Sequence, residues 1–195
     1  VKSQYAPLIP DLKRAFEDVL DSGAFILGPN VKAFEREAAQ YLGVTDTIGV
    51  ANGTDAIVLV LDALGIGAGD EVICPAFTFY ATAEAIARVG ATPVFADLDP
   101  VTLNLDPADV ERRITESTKT IVPVHLFGRP AALEGLAALG LPLLEDAAQA
   151  FGAPGIATTG VCSTFSFFPT KNLFALGDGG LVACLDDAVA ETVRR

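Results

Sequence analysis

From Thr47 onward, short apolar runs alternate with stretches of helical periodicity, and this pattern restricts the fold more than any other feature. "TIGV" precedes a helix predicted over 54–64, and "EVICPAF" precedes one over 81–89. "TPVFADL" leads to a helix over 107–114, "TIVPVHLF" to one over 131–139, and "LPLLED" follows. Strands that are apolar throughout are covered on both faces, and parallel neighbours need a crossover, usually a helix, between them. The expectation is therefore a three-layer α/β/α domain with a mostly parallel sheet. "STFSFF" and "GLVACL" come last with no helix between them, so one of them is expected to pair antiparallel.

Two amphipathic helices stand in front of this pattern. "PDLKRAFEDVLDSG" places Leu12, Phe16, Val19 and Leu20 on one face and stops at Gly23. "NVKAFEREAAQYLG" repeats the arrangement with Val31, Phe34, Ala38 and Tyr41. The connection between them, "AFILGPN", has the look of a loop yet is apolar, which predicts a ligand or a second subunit against it.

Charge narrows the partners. A net charge of −12 repels phosphate backbones and argues against nucleic acid. No basic run suggests an anionic membrane. No stretch reaches the ~20 apolar residues that cross a bilayer, and no basic-then-apolar leader opens the sequence as given. The longest candidate, "AIVLVLDALGIGAG", carries Asp62. Cys74, Cys162 and Cys184 lie far apart in the sequence, each among apolar neighbours, with no C-x-x-C; buried reduced thiols of a cytosolic protein are expected and zinc is not.

In open α/β sheets, ligands sit beyond the carboxyl ends of the strands. Asn52-Gly53-Thr54, Phe77-Thr78-Phe79, His125 and Glu145-Asp146 all fall at such ends. "GIGAGD" lacks the G-x-G-x-x-G spacing and follows a helix instead of a strand, so a dinucleotide fingerprint is absent, and no P-loop occurs. "ANGTDA" passes from a strand end into a helix. Its turn is either an anion site built on free N–H groups or an ordinary N-cap. Asp146, ending a buried strand, needs a partner, which either a structural hydrogen bond or a cationic ligand nitrogen would supply. His125, the only histidine, suits a site and equally a satisfied strand end.

Lys171 is the most isolated charge. After Arg129 no other Lys or Arg occurs until Arg194, and between Asp146 and Asp178 Lys171 is the only charged side chain. It either snorkels to solvent or sits desolvated, where an amine turns nucleophilic and condenses with an aldehyde. Pyridoxal 5'-phosphate needs three partners: a Schiff-base amine, an acid beside its pyridinium nitrogen and a phosphate cradle. Lys171, Asp146 and the Gly53-Thr54 turn supply that set.

The same residues carry a family resemblance. "NGTDAI", "PAFTFYATAEAI", "ATPVFADLDP", "IVPVHLFG", "EDAAQAFGA" and "FSFFPTKNLFALGDGG" resemble the DegT/DnrJ/EryC1/StrS sugar aminotransferases, pyridoxal-phosphate enzymes of the aspartate-aminotransferase fold type. "SGAFILGPNVKAFEREAAQYLGV" is similar to that family's opening segment, so the likeness covers nearly the whole chain.

The resemblance implies that Lys171 forms the Schiff base and then moves the proton, and that Asp146 pairs with the pyridinium. It implies that Gln149 lies near the phenolic oxygen, and that Gly53, Thr54 and Ser166 hold the phosphate. Phe79 takes the ring-stacking position, with Phe77 as the alternative. The implied reaction moves an amino group, with glutamate as donor, to a nucleotide-linked keto sugar in a cytoplasmic homodimer, with the loop "FILGPN" at the subunit interface. Residues 1–195 then correspond to the large cofactor-binding domain, with a helical segment over about 1–45 and without the family's small carboxyl-terminal domain. Two rivals stand beside this reading. A dehydratase of the same family would carry histidine where Lys171 stands, and a regulatory protein would keep the cofactor site without turnover. Phe151 stands where the family commonly has histidine in "AQAHGA", and a reshaped pocket wall is expected there.

Overall fold

The computed structural model describes residues 2–195. A short helix α1 (Lys2–Tyr5) and a 3-10 turn lead into α2 (Ile9–Ser22), followed by α3 (Pro29–Leu42). Gly23 ends α2 at φ 63° and Gly43 ends α3 at φ 71°. Both occupy the left-handed region where a Cβ is costly, so glycine fixes where each helix stops. The connecting loop is solvent-facing despite its composition, with Ile26 87% exposed.

The strands are β1 (Asp46–Val50), β2 (Glu71–Pro75), β3 (Thr92–Ala96), β4 (Thr118–Ile121), β5 (Leu144–Asp146), β6 (Cys162–Ser166) and β7 (Gly180–Cys184). Ladders join β1-β7-β6-β5 and β3-β2-β4. Parallel bridges Ile121↔Leu143 and Val124↔Asp146 set β4 beside β5. The resulting order is β1-β7-β6-β5-β4-β2-β3. Only β7 runs against its neighbours, β1 and β6. The expected mostly parallel sheet and its antiparallel exception are both present.

Side chains alternate across this sheet. Val72, Cys74, Leu144, Cys162 and Val182 face α4 (Gly53–Ala63) and α5 (Ala81–Arg88), with α8 (Asp187–Val193) beside them. Ile73, Ile121 and Leu143 face α6 (Pro107–Arg113) and α7 (Leu133–Ala137). Phe165, Leu181 and Ala183 pack toward Ala38 of α3. Asp146 shares the parity of Leu144 and projects toward α4 and α5, whereas Glu145 projects into the opposite layer.

Three elements depart from the sequence reading. The run "TIVPVHLF" is not one strand: β4 stops at Ile121, Pro123 has no N–H to donate, and Leu126–Gly128 form a 3-10 turn with Phe127 at φ 56°. The helix predicted over 131–139 contracts to α7. The final helix, α8, follows Asp186, whose side chain accepts from Ala188 N and Val189 N. All three cysteines are free and buried as expected. Cys162 and Cys184, distant in sequence, are register partners with Sγ atoms 3.0 Å apart.

Candidate active site

The turn after β1 is built by one cap and two glycines. Asn52 is extended, and its side chain accepts from Asp55 N at 2.8 Å while its Nδ2 donates to Asp55 Oδ2. The N–H groups of Gly53 and Thr54 fall in the first turn of α4, where a helix has no internal acceptor for them. A Cβ on Gly53 would lie 2.7 Å from Ser166 Cβ, and one on Gly180 would lie 2.4 Å from the carbonyl carbon and oxygen of Asn52. Glycine at both positions therefore lets the positive end of α4 rest directly on the ends of β6 and β7.

Asp146 is 5% exposed. Its Oδ2 accepts from Thr82 Oγ1 at 2.8 Å and its Oδ1 from Ala148 N at 3.1 Å. Burial pushes its carboxyl above the usual carboxylate range, against the pull of those two donors. A cation placed beside it would restore the charged form. The sequence reading missed Thr82; the signal for it is the position of α5 directly after β2, which aims its first turn at the strand ends.

Lys171 sits in the excursion between β6 and β7. Phe167 closes this loop at both sides, donating its N–H to Gly179 O at 2.8 Å and accepting from Ala175 N at 2.7 Å. Lys171 N donates to Phe168 O at 2.8 Å, and Asn172 Nδ2 donates to Phe151 O at 2.8 Å. The lysine thus hangs from a loop anchored to the sheet and to the segment after β5. Gln149, in that segment, accepts from Phe127 N through Oε1 at 2.7 Å. Its amide nitrogen is left as the free donor.

These parts meet in a cavity of about 570 Å³ lined by Gly53, Thr54, Phe79, Asp146, Gln149, Ser166 and Lys171. Every site residue proposed from the sequence contributes to its wall. Phe77 and His125 do not. Nor does Phe151, contrary to the expected pocket-wall role: its ring stacks on Tyr41 at 5.7 Å and meets Phe165 and Phe167 edge-on. Arg88 also lines the cavity, held 3.2 Å from Asp55. Among the described residues no group of His, Cys, Asp and Glu could hold a metal ion, and no helix is long and apolar enough to cross a membrane.

Comparison with known proteins gives the arrangement its relatives. The "Pleiotropic regulatory protein" of Geobacillus stearothermophilus is 50% identical over all of this chain and 54% of its own length. A UDP-N-acetyl-3-dehydro-alpha-D-glucosamine 3-aminotransferase of Acidithiobacillus ferrooxidans is 46% identical, over all of this chain and 55% of its own. Among solved structures, S. venezuelae DesV in complex with a ketimine intermediate superposes with a TM-score of 0.94 at 42% identity, covering 99% of this chain and 54% of that one. NtdA from Bacillus subtilis with bound cofactor PMP superposes at 0.92 and 35% identity, covering 95% and 43%. The chain spans about half the length of the curated relatives it matches. The family model for DegT/DnrJ/EryC1/StrS aminotransferases matches residues 8–195, and this chain belongs to that family.

Proposed function

We propose that this chain is the large, cofactor-binding domain of a pyridoxal-5'-phosphate-dependent aminotransferase. Its substrates are a nucleotide-linked keto sugar and an amino-acid donor, glutamate, and it works as a cytoplasmic homodimer. One observation carries the reading: an amine (Lys171), a buried carboxylate (Asp146) and the free N–H end of α4 open into the same cavity. The donor set fits the cofactor. Asp146 has two hydrogen-bond donors and no cation in contact, so a protonated ring nitrogen completes it. The Gly53-Thr54 turn supplies N–H donors for a phosphate.

When bound, the cofactor supplies an electron sink for the carbon that exchanges its amino group. The chain's own residues do the rest. Lys171 would bind the cofactor through its amine and, once released, would serve as the proton carrier at the substrate carbon. Asp146 keeps the ring nitrogen protonated by charge pairing. Gln149, its carbonyl engaged by Phe127, offers its amide N–H to the phenolic oxygen. Gly53, Thr54 and Ser166 would hold the phosphate, and Phe79 would cover the ring face. The aminotransferase names and the bound PMP among the relatives support this reading.

The regulatory reading rests on the name of the Geobacillus relative. A single experiment separates it from the catalytic one. The protein loaded with pyridoxal phosphate and mixed with glutamate should convert to the pyridoxamine form, and Lys171→Ala should lose the visible Schiff-base band. Borohydride labelling of a different lysine would overturn the assignment, and a bound cofactor inert to every amino donor would favour regulation.

A further inference from the structure

We propose that His125 and Glu145 are positioning residues for the Asp146 carboxylate and the Gln149 amide, acting from the face of the sheet opposite the cavity. The inference rests on the cofactor reading above.

Both side chains are fully buried and neither touches the cavity. His125 Nδ1 accepts from Ala131 N at 3.0 Å, so Nδ1 carries a lone pair and the ring proton sits on Nε2. That proton is donated to Glu145 Oε2 at 3.0 Å. Glu145 takes three more donors from one loop: Ala157 N at 2.9 Å, Thr159 N at 3.2 Å and Gly160 N at 2.8 Å. Burial opposes ionisation of this carboxyl, but the bonds from His125, Gly160 and Ala157 outweigh it and hold its pKa below the usual range. A buried charge with four donors is a costly way to fill a core that apolar residues would fill as well. What it adds is a fixed geometry.

That geometry reaches the cavity along two routes. The first is the main chain of β5. Glu145 and Asp146 are consecutive and project to opposite faces, so anchoring one sets the height and direction of the other. The backbone of Asp146 is clamped as well, its N donating to Pro123 O and its O accepting from His125 N, both at 2.9 Å. The second route is the turn after His125. His125 O accepts from Gly128 N at 3.1 Å, holding Phe127 in its left-handed conformation, and Phe127 N then donates to Gln149 Oε1 at 2.7 Å. Removing the imidazole frees Ala131 N and takes one of four donors from Glu145, and it leaves the His125 main chain, which bonds Asp146 O and the turn, without its side-chain anchor. A shift near 1 Å at such groups lowers turnover on the order of 100-fold.

The test uses the protein loaded with pyridoxal phosphate labelled with 15N in the ring, comparing wild type with His125→Asn and Glu145→Gln. His125→Asn keeps an acceptor for Ala131 N and cannot reach Glu145. In folded samples, the ring-nitrogen NMR signal should move from the protonated toward the neutral position. The kcat of the glutamate half-reaction should fall about 10–100-fold with KM within about threefold of wild type. Variants that keep both the wild-type nitrogen signal and kcat overturn the proposal and leave the cofactor reading intact. A neutral ring nitrogen in the wild type would instead overturn the pairing with Asp146, and this inference with it. If His125→Asn does not fold, His125→Gln, which retains a donor for Glu145 but lacks the Nδ1 acceptor, is judged by the same two signals.

Discussion

Replacing Asp146 with asparagine should make the cofactor-free protein more stable at neutral pH. The carboxylate is buried with two donors, Thr82 Oγ1 and Ala148 N, and burial raises its pKa. The desolvation cost of one buried ion is several kcal/mol, and two charge-assisted hydrogen bonds return about 1.5–3 kcal/mol each. The raised pKa shows that burial outweighs these donors, so a net penalty of about 1–3 kcal/mol remains while no cation is in contact with the carboxylate. Asparagine has the same shape, accepts from Ala148 N and donates to Thr82 Oγ1, and carries no charge. The sign of the pH dependence follows from the raised pKa. The folded chain keeps this proton through a window in which the unfolded chain has lost it, so the favourable contribution is complete below the ordinary aspartate pKa. It is lost as pH rises through the raised value. Urea unfolding of both cofactor-free proteins between pH 3 and 8 measures this. At pH 7 the Asn variant should unfold about 0.5–1.5 M later, for a slope of roughly 2 kcal/mol per molar. At pH 3 the two should coincide. Saturating cofactor should erase the difference, because it binds wild type more tightly and stabilises it by mass action. An Asn variant less stable at pH 7, or a gap that ignores pH, would refute the reasoning.

Gly180→Ala drives a Cβ to 2.4 Å from the Asn52 carbonyl, so unfolding free energy should fall by about 1–3 kcal/mol. Because α4 must lift from the sheet, equilibrium dialysis should also show cofactor binding at least about tenfold weaker; unchanged affinity would mean that the helix start does not hold the phosphate. Arg194→Ala removes the fork from Arg194 Nε and Nη2 to Asp46, each arm 2.9 Å. About 1 kcal/mol should be lost at pH 7 and low salt. Arg194 holds Asp46 below its usual pKa, so this loss should shrink as pH falls through the lowered value, leaving the bond to Thr47 O; a gap insensitive to both acid and salt would exclude an ionic origin. Ile26→Asp, on the exposed apolar loop, should dissociate the proposed homodimer at micromolar concentration in sedimentation, and an unaffected dimer would place the interface elsewhere.

The parts of the fold legible in the sequence are those dictated by local periodicity. The α/β alternation, the Gly23 and Gly43 stops and the isolation of Lys171 each follow from a few adjacent residues. What was illegible depends on contacts between distant segments. Pro123 and the left-handed Phe127 break "TIVPVHLF" into a strand and a turn, and that turn is held from another segment by Gln149. Thr82 is an ordinary helix residue until α5 brings it 2.8 Å from Asp146. Phe151, although next to the site in sequence, is drawn away from the cavity by the Tyr41, Phe165 and Phe167 rings, and no local pattern announces that cluster. Glu145 and Asp146 looked alike as strand-end carboxylates; only the pleat separates their surroundings.

The antiparallel strand β7 also sets a timetable for synthesis. Among the described residues strand β1 has no ladder partner other than β7, and both the N–H and the hydroxyl of Thr45 bond to the carbonyl of Cys184, 139 residues later. At roughly 5–20 residues per second on the ribosome, β1 and the Gly53-Thr54 turn behind it wait on the order of ten seconds for that partner to emerge. During this interval the nascent chain carries a strand edge open on both sides, the kind of surface that templates aggregation. The hairpin of β6 and β7 closes quickly because its contacts are local. The Gly53-Thr54 turn is therefore translated well before the strand that secures it, and any nascent chain released before residue 180 leaves it without a floor.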